Sequence, residues 1–200
     1  MMAVSFDNPS IHLGKLLRSS GEATAEGEFS KLAYIQGTEQ AVLETREPAY
    51  YEVEVHTVND DDFWLMGRIE AVVLQECSRC LRPVEMPLEV TLGTLLRFDP
   101  KIEIPFLDED ESGQEVWVFN ESVLELSAYF AESILMALPL SVLHDSECKG
   151  LCSKCGIDLN DGLCGKPDCI HTDQTKLEQR RVSDKPNPFA VLSGLELPDE

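Results

Sequence analysis

The sequence predicts an α+β fold: an antiparallel β meander or partly closed barrel, covered by one amphipathic helix and followed by a C-terminal cysteine-rich module. Apolar and polar residues alternate over long stretches between residues 50 and 98, which is typical of half-buried strands. Apolar residues then recur at steps of three and four after residue 122, which is typical of a helix. Five of the seven cysteines lie within residues 148–169.

Three stretches predict the strands of this meander, over residues 51–58, 63–74 and 83–98. The middle stretch ends in three consecutive apolar residues, which predicts full burial at that end. An acidic turn at 59–62 separates the first two strands, and a Cys-x2-Cys pair at 77–80 lies between the last two. Because short connections between successive strands are typical of antiparallel sheets, we expect the cysteine pair at the end of a hairpin.

Helical signals occur at two places in the chain. Asn8 and Pro9 have the residue types of a helix cap and a first helical position, so a short helix is expected to follow them. Ser122 and Glu125 have the spacing of a capping box, and the helix that they predict ends at Pro139. The apolar face of this second helix is expected to cover one face of the sheet.

The chain is strongly acidic. Its 200 residues contain 37 Asp and Glu against 16 Lys and Arg, which gives a formal net charge of −21. Such a chain repels nucleic acid at long range, and basic proteins are electrostatically easier partners. The acidic stretch 22–28 is expected to be a loop, and 99–115 is expected to be either a solvated loop or a segment that attracts a partner electrostatically. Because no signal peptide and no apolar run of membrane-spanning length is recognisable, we expect a cytoplasmic protein that does not bind membranes.

The cysteine-rich stretch has the spacing of a zinc-binding module. Cys148, Cys152, Cys155, Cys164 and Cys169 follow one another as C-x3-C-x2-C-x8-C-x4-C. In a reducing compartment such thiols bind metal more often than they form disulfides, and Zn²⁺ takes four of them at tetrahedral angles. A glycine follows Cys155 and allows the positive φ of a knuckle turn. We therefore expect structural Zn²⁺ here, with Cys148 either a spare thiol or a replacement for Cys169.

A second cysteine pair, Cys77 and Cys80, lies about seventy residues before this stretch. We interpret it as a separate pair, because the cysteine-rich stretch already holds enough donors for a four-coordinate ion. Two alternatives stay open. The pair can join Cys152 and Cys155 in one four-thiolate site, or it can be two buried thiols without metal.

Arginines near this pair are unusual in so acidic a protein. Arg79 lies inside the pair and Arg82 directly after it. Together with Arg68 and Arg97 they form a candidate basic patch. Such a patch is the kind of feature that a contact with RNA phosphates or with another partner requires.

The C-terminal tail ends in an apolar motif, KPNPFAVL, at residues 185–192. Pro188 stiffens the chain there, and Phe189 begins the apolar run. The motif either docks on its own domain or binds a partner. The predicted regions are a β-rich domain with its covering helix at 1–140, a zinc knuckle at 141–175 and this tail at 176–200.

No catalytic constellation is identifiable in the sequence. A P-loop, a nucleophile–base arrangement and a paired-carboxylate motif are all missing from the pattern. We therefore expect neither an enzyme nor a protein with a small-molecule substrate. The oligomeric state is left open by the sequence.

Motifs in the second half of the chain carry a resemblance to a known family. They are the strand-end motif CSRCL at 77–81, the helix end ILMALP at 134–139, and KPNPFAVL at 185–192. These motifs resemble those of the bacterial YceD family, the large ribosomal RNA subunit accumulation proteins. The run at 148–164 is similar to the cysteine-rich tail of other members. That tail usually closes with C-x-C, whereas Cys164 and Cys169 lie five residues apart here.

The resemblance implies a role in the accumulation or processing of 23S rRNA, and hence in assembly of the large ribosomal subunit, without known catalytic residues. The partner is then precursor large-subunit rRNA or, more easily for a chain of this charge, a basic ribosomal protein. Two other functions stay open. One is a zinc-dependent hydrolase that acts on precursor rRNA, and the other is a general zinc-ribbon adaptor protein.

Overall fold

The computed structural model describes residues 8–109 and 113–162. The described chain divides into two compact units. One unit holds the described residues up to Cys77 together with Arg82–His144, and the other holds Ser78–Leu81 and the described residues from Asp145 onward. The predicted region boundary after residue 175 lies outside the described residues. The sequence did not indicate that the short turn Ser78–Leu81 groups with the cysteine-rich unit.

Within the described residues, the first unit consists of eight strands and one helix. They are β1 (Ser10–His12), β2 (Glu22–Gln36), β3 (Glu39–Thr57), β4 (Asp62–Glu76), β5 (Pro83–Phe98), β6 (Phe106–Glu109), β7 (Glu115–Phe119), β8 (Val123–Glu125) and α1 (Ser127–Ala137). Six strands form one sheet in the order β2-β3-β4-β5-β7-β6, and β1 pairs with β8 separately. The prediction of a β-rich unit with one covering helix is confirmed.

The predicted meander is present as the four long strands β2 to β5. Each pairs antiparallel with the next, and the β4–β5 pair is continuous from Asp62 opposite Arg97 to Glu76 opposite Pro83. The sheet curls into a half-barrel. The parallel pairing of β5 with β7 was not expected. Parallel strands need a connection longer than a hairpin turn, and here the segment between β5 and β7, which includes β6, provides it.

Alternating burial places one face of the sheet against the core. Tyr51, Val53 and Val55 of β3 are buried, and the residues between them are exposed or half-buried. The same alternation continues to the end of β4, where Val73 is buried and Leu74 is 48% exposed. The prediction that this apolar triplet is fully buried was therefore wrong. Only one face of this sheet is covered, so a strand in it buries every second side chain. The three apolar residues therefore alternate between the buried and the exposed face.

The stretch predicted as a loop at 22–28 is the first half of β2, so that prediction was wrong. It pairs antiparallel with β3, for example Ala23 with Val55 and Ala25 with Val53. The small side chains of Ala23 and Ala25 pack against the core, while the acidic residues on either side, Glu22, Glu26 and Glu28, are exposed. Because these alanines bury little surface, the local sequence carries only a weak strand signal, and pairing with β3 determines the conformation.

The helix predicted after Asn8 and Pro9 is not formed. Residues Ser10–His12 form β1 instead, which pairs with β8, and Ile11 lies opposite Leu124. The backbone N–H of Leu13 continues this contact by donating to the carbonyl of Ser122 at 2.7 Å. Tertiary pairing with a distant strand therefore replaces local helix formation.

The covering helix is present but starts later than predicted. The residues after Ser122 are used by β8, so α1 begins at Ser127 with Leu126 at its N-cap and without a side-chain cap. The helix ends at Ala137, just before Pro139, as expected. No helix in the described part of the chain has the length and apolar character needed to cross a membrane.

Three aromatic rings fix α1 on the sheet. Phe130 of the helix lies with its ring centroid 6.0 Å from that of Phe29 and 5.0 Å from that of Tyr51. Phe130 is fully buried, and Ile134 lies on the same helix face and is also fully buried. This aromatic contact confirms that the apolar face of the helix covers the sheet.

The acidic stretch at 99–115 is solvated but is not entirely a loop. All four residues of β6 are exposed, in keeping with the predicted solvation. They nevertheless pair with β7, where Phe106 lies opposite Val118. Val116 and Val118 of β7 are buried, so β7 anchors this exposed edge strand to the sheet.

Substitution Phe130→Ala is expected to lower the free energy of unfolding by about 3–5 kcal/mol, because it leaves a cavity between the helix and the sheet. Met136→Ala on the same helix is the matched control, since Met136 is 86% exposed. Urea unfolding of both variants measures the difference. Similar losses for the two variants would contradict the packing described here.

The ion pair between Arg97 and Asp62 offers a second test. Arg97 Nε donates to Asp62 Oδ1 at 2.6 Å, and this hydrogen bond lowers the pKa of Asp62 below its usual 3.8. A carboxylate with a lowered pKa in the folded protein stabilises it above the unfolded pKa, and this contribution disappears as the pH falls through the folded value. Arg97→Met should therefore raise the pKa of Asp62 toward 3.8 in an NMR titration. An unchanged pKa of Asp62 in this variant would contradict the effect assigned to Arg97.

Candidate metal centre

The turn that joins β4 to β5 presents the first cysteine pair. The backbone N–H of Cys77 donates to the carbonyl of Arg82 at 2.8 Å, which closes the turn. Leu81 has a φ of 62°, a left-handed conformation that is unusual for a residue with a side chain. The thiols are withdrawn from solvent, because Cys77 is 0% and Cys80 is 5% exposed. The prediction that the pair lies at the end of a hairpin is confirmed.

Four potential metal ligands converge at this turn. The ligand atoms of Cys77, Cys80, His144 and Cys148 all lie within 4.8 Å of one another. Tetrahedral Zn²⁺ with bonds of ~2.3 Å holds its sulfur ligands about 3.8 Å apart. The observed separations therefore need only small side-chain adjustments to bind an ion. This Cys-Cys-His-Cys group is the candidate metal centre.

The donor set has the chemistry of a soft-metal site. Three of its members are buried cysteines and His144 is half-buried. The described cysteines are not joined in disulfides. Thiolates with one imidazole match the ligands of structural Zn²⁺, whereas catalytic zinc sites usually keep one position for water. The group can hold a metal ion.

Local contacts bring His144 toward the cysteine pair. Gln75, near the end of β4, donates through Nε2 to the carbonyl of Pro139 at 3.2 Å. This bond holds the chain that leaves α1 beside Gln75, and Cys77 follows Gln75 by two residues. His144 follows Pro139 by five residues, which is a short enough distance for it to return to Cys77.

Within the second unit, Arg79 fastens the turn to the cysteine-rich segment. Its Nη1 donates to the carbonyl of Cys148 at 2.9 Å, and its own carbonyl accepts from the N–H of Leu151 at 3.0 Å. Gly150 lies against it with a φ of 75°, and a Cβ at this position would lie 3.1 Å from the Arg79 carbonyl oxygen. Arg79, predicted as a contact for RNA or a partner, therefore has a structural contact here.

The sulfur of Cys148 also receives a polar contact. Asn160 Nδ2 lies 3.5 Å from Cys148 Sγ, and Asn160 Oδ1 accepts from the backbone N–H of Lys149 at 2.8 Å. The same Nδ2 group lies 2.6 Å from Asp158 Oδ1. Asn160 therefore ties the sulfur of Cys148 to Lys149 and Asp158 within the second unit.

Cys152 and Cys155 lie in a tight turn at the position of the predicted knuckle. The N–H of Gly156 donates to the carbonyl of Cys152 at 2.8 Å, and the N–H of Cys152 donates to the carbonyl of Ile157 at 2.8 Å. Gly156 has a φ of 71°, which confirms the expected role of the glycine. Cys152, Cys155 and Leu159 pack together in a small cluster of their own.

The structure groups the cysteines differently from the sequence prediction. Cys77 and Cys80 lie with Cys148 and not with Cys152 and Cys155, and a histidine completes the group. Cys164 and Cys169 lie outside the described residues, so the predicted ligand set of the tail stays a prediction. The sequence did not identify His144 as a ligand. Its only signal is that it lies four residues before Cys148, and this spacing indicates a metal site only once the folded chain brings both residues near Cys77 and Cys80.

The candidate basic patch is not formed by the arginines that were grouped together. Arg68 lies 3.5 Å from a carboxylate oxygen of Glu52, and Arg97 is paired with Asp62. Arg97 lies opposite Asp62 at the end of the β4–β5 hairpin that is remote from the cysteines. The intervening fourteen residues of β4 span roughly 46 Å at ~3.3 Å per residue. Arg82, another predicted contact for RNA or a partner, accepts through its carbonyl the hydrogen bond that closes the turn. The remaining two predicted contacts, Pro188 and Phe189, lie outside the described residues.

Comparisons with known proteins identify a family for this chain. A family model described as large ribosomal RNA subunit accumulation protein YceD matches residues 65–196, more than half of the chain. The Haemophilus influenzae protein of that name is 26% identical over 133 residues, which are 66% of this chain and 64% of that protein. No solved structure matches the chain significantly.

Relatives of mycobacterial origin are also similar. The uncharacterized protein ML1660 of Mycobacterium leprae is 28% identical over 123 residues, which are 62% of this chain and 54% of that protein. The uncharacterized protein Rv2926c of Mycobacterium tuberculosis is 30% identical over 93 residues, which are 46% and 43%. The chain thus spans about half the length of these relatives. From the family match, this chain belongs to the YceD family of large ribosomal RNA subunit accumulation proteins.

Proposed function

We propose that the protein is a non-catalytic, cytoplasmic ribosome-biogenesis factor that supports the accumulation or processing of 23S rRNA and assembly of the large ribosomal subunit. Membership of the YceD family carries this proposal, together with the name of the Haemophilus influenzae relative, large ribosomal RNA subunit accumulation protein. We also propose that metal bound by the cysteines has a structural role. The partner that we favour is a basic ribosomal protein.

Structural Zn²⁺ is the metal proposed for the Cys77, Cys80, His144 and Cys148 group. The ligands come from two short segments, 77–80 and 144–148, which are far apart in sequence. An ion that joins such segments contributes folding free energy directly. The three thiol donors and the N–H group near the Cys148 sulfur support zinc over the harder cations, which prefer oxygen ligands.

The tail cysteines form a second proposed site. Assigning Cys148 to the first group leaves Cys152, Cys155, Cys164 and Cys169, which are four thiols and match the ligand number of one more Zn²⁺. The knuckle turn at Gly156 supports this assignment on the side that the structure describes. The seven cysteines and His144 would then supply two tetrahedral sites.

Metal analysis of single and double variants tests this arrangement. Cys80→Ser and Cys155→Ser should each lower the zinc content by one ion per chain, and the double variant should lose both, because the two sites are separate. Inductively coupled plasma mass spectrometry of protein purified without added metal measures the content. Lys149→Gln, an exposed neighbour, is the control and should retain all of the zinc.

Two outcomes would contradict the two-site arrangement. Full zinc in Cys80→Ser would exclude the hairpin group as a metal centre. Loss of all zinc in each single variant, with no further loss in the double variant, would mean that the hairpin and tail cysteines share one ion.

The charge distribution supports a protein partner over direct binding of rRNA. Arg68 and Arg97 have carboxylate partners, which reduces their attraction for phosphates. Most other charges on the outer surfaces of the strands are carboxylates, in a chain of net charge −21. A basic ribosomal protein is attracted by this surface, whereas RNA is repelled.

Depletion of the protein in cells should lower the ratio of 23S to 16S rRNA and the amount of 50S particles. The wild-type gene and the Lys149→Gln variant should restore both quantities, whereas a Cys77→Ser, Cys80→Ser double variant should not. Quantitative RNA gels and sucrose gradients provide the measurement. Unchanged 23S rRNA and 50S particles after depletion would overturn the proposed function and would favour a general adaptor.

Incubation of the purified protein with precursor 23S rRNA separates the non-catalytic role from a hydrolase. With either Zn²⁺ or Mg²⁺ present, the precursor should stay uncut. Cleavage by the wild-type protein that is absent from the Cys77→Ser, Cys80→Ser variant would contradict the non-catalytic role and favour the zinc-dependent hydrolase.

A further inference from the structure

The first unit contains a groove of about 760 Å³ that the proposed metal sites do not use. One wall is the tip of the β2–β3 hairpin, and the other is formed by β7, β8 and the start of α1. Five carboxylates surround it: Glu39, Glu103, Glu121, Glu125 and Glu132. We call it the acidic groove.

The groove has an apolar interior. Ile35, on the hairpin wall, is 75% exposed although it is a large aliphatic residue, and Val123 on the opposite wall is 39% exposed. The half-buried indole of Trp117 adds an aromatic surface, which packs on Tyr129 with ring centroids 5.7 Å apart. Exposed apolar side chains on both walls of one groove favour an occupant with an apolar side chain of its own.

The carboxylates of the groove have no cationic partners in the part of the chain that the structure describes. All five are exposed, and none is in an ion pair there, whereas elsewhere Glu44 pairs with Lys31 and Glu52 with Arg68. The residues that line the groove include no Lys, Arg or His. The negative charge is therefore concentrated around an apolar interior and uncompensated.

We propose that the acidic groove binds a short cationic segment of a partner protein, with one apolar side chain inside the groove and Lys or Arg side chains against its rim. Charge complementarity selects this occupant. RNA and anionic membranes are repelled by five carboxylates, and a second copy of this chain carries the same net charge of −21.

This inference deepens the proposed function, since basic segments are what a factor that binds a ribosomal protein has to recognise. Only the identity of the partner as a ribosomal protein rests on the proposed function. The geometry and charge of the groove do not depend on the metal sites.

Binding of a labelled peptide to the full chain tests the inference. The probe is a fluorescein-labelled peptide with arginines on both sides of a central Leu-Phe pair, and fluorescence anisotropy measures its affinity. Replacing Leu-Phe by Gly-Gly should weaken binding severalfold, and replacing the arginines by glutamates should abolish it. Binding should also weaken as salt is added, because the charges involved are exposed.

Two triple variants locate the site. Glu103→Gln, Glu121→Gln, Glu132→Gln should weaken binding about tenfold, since three exposed ion pairs are lost. The matched control is Glu28→Gln, Glu76→Gln, Glu89→Gln, which removes the same number of exposed carboxylates outside the groove and should change affinity less than about twofold. Ile35→Ser should weaken binding without an effect on folding, because its side chain is largely exposed.

Three outcomes would overturn the inference. Equal weakening by the two triple variants would mean that the peptide responds to net charge and not to the groove. Displacement of the peptide by a 23S rRNA fragment, with loss of that RNA binding in the Glu103, Glu121, Glu132 variant, would identify RNA as the occupant. Tighter binding of a peptide with the sequence of residues 185–192 would identify the chain's own tail.

The two proposals can fail independently. Normal 23S rRNA in depleted cells together with peptide binding in the groove would reject the ribosomal role and keep the groove. Reduced 23S rRNA in those cells, restored fully by the Glu103→Gln, Glu121→Gln, Glu132→Gln variant, together with no peptide binding in solution, would reject the groove and keep the ribosomal role.

Discussion

The register of the β4–β5 hairpin is the constraint on which the rest of the structure depends. Fifteen pairs hold these strands together without interruption, from Asp62 opposite Arg97 to Glu76 opposite Pro83. A shift of one residue would turn every buried side chain of one strand to the solvent face. The same register places Cys77 directly after the last pair, so the sheet that buries the core also sets the position of the first cysteine of the candidate metal centre.

The candidate metal centre shows how a polar cluster is assembled from weak local signals. A turn supplies two cysteines, and the chain that leaves α1 supplies a histidine and a cysteine. Around Cys148, Arg79 donates to the backbone carbonyl and Asn160 lies against the sulfur. These polar contacts hold the segments of the cysteine-rich unit together.

Regular patterns made much of the fold predictable from the sequence. Strands β3 to β5 follow from alternating apolar residues, the hairpin position of Cys77 and Cys80 follows from their place between two such stretches, and the knuckle turn follows from the glycine after Cys155. The failures have a common cause. Strand β2 is built on small alanines, β1 and β8 form only through each other, and His144 meets its partners only after folding, so none of these features has a local pattern that identifies it.

The pairing of β1 with β8 also determines an order of events during protein synthesis. A ribosome makes Ser10–His12 more than a hundred residues before Val123–Glu125, so β1 has no partner while β2 to β5 are being translated. The four long strands are joined by short turns and can form as soon as they leave the exit tunnel. Ile11 and Leu13 therefore stay without their native cover until the nascent chain is well past its midpoint, and closing this long loop completes the core.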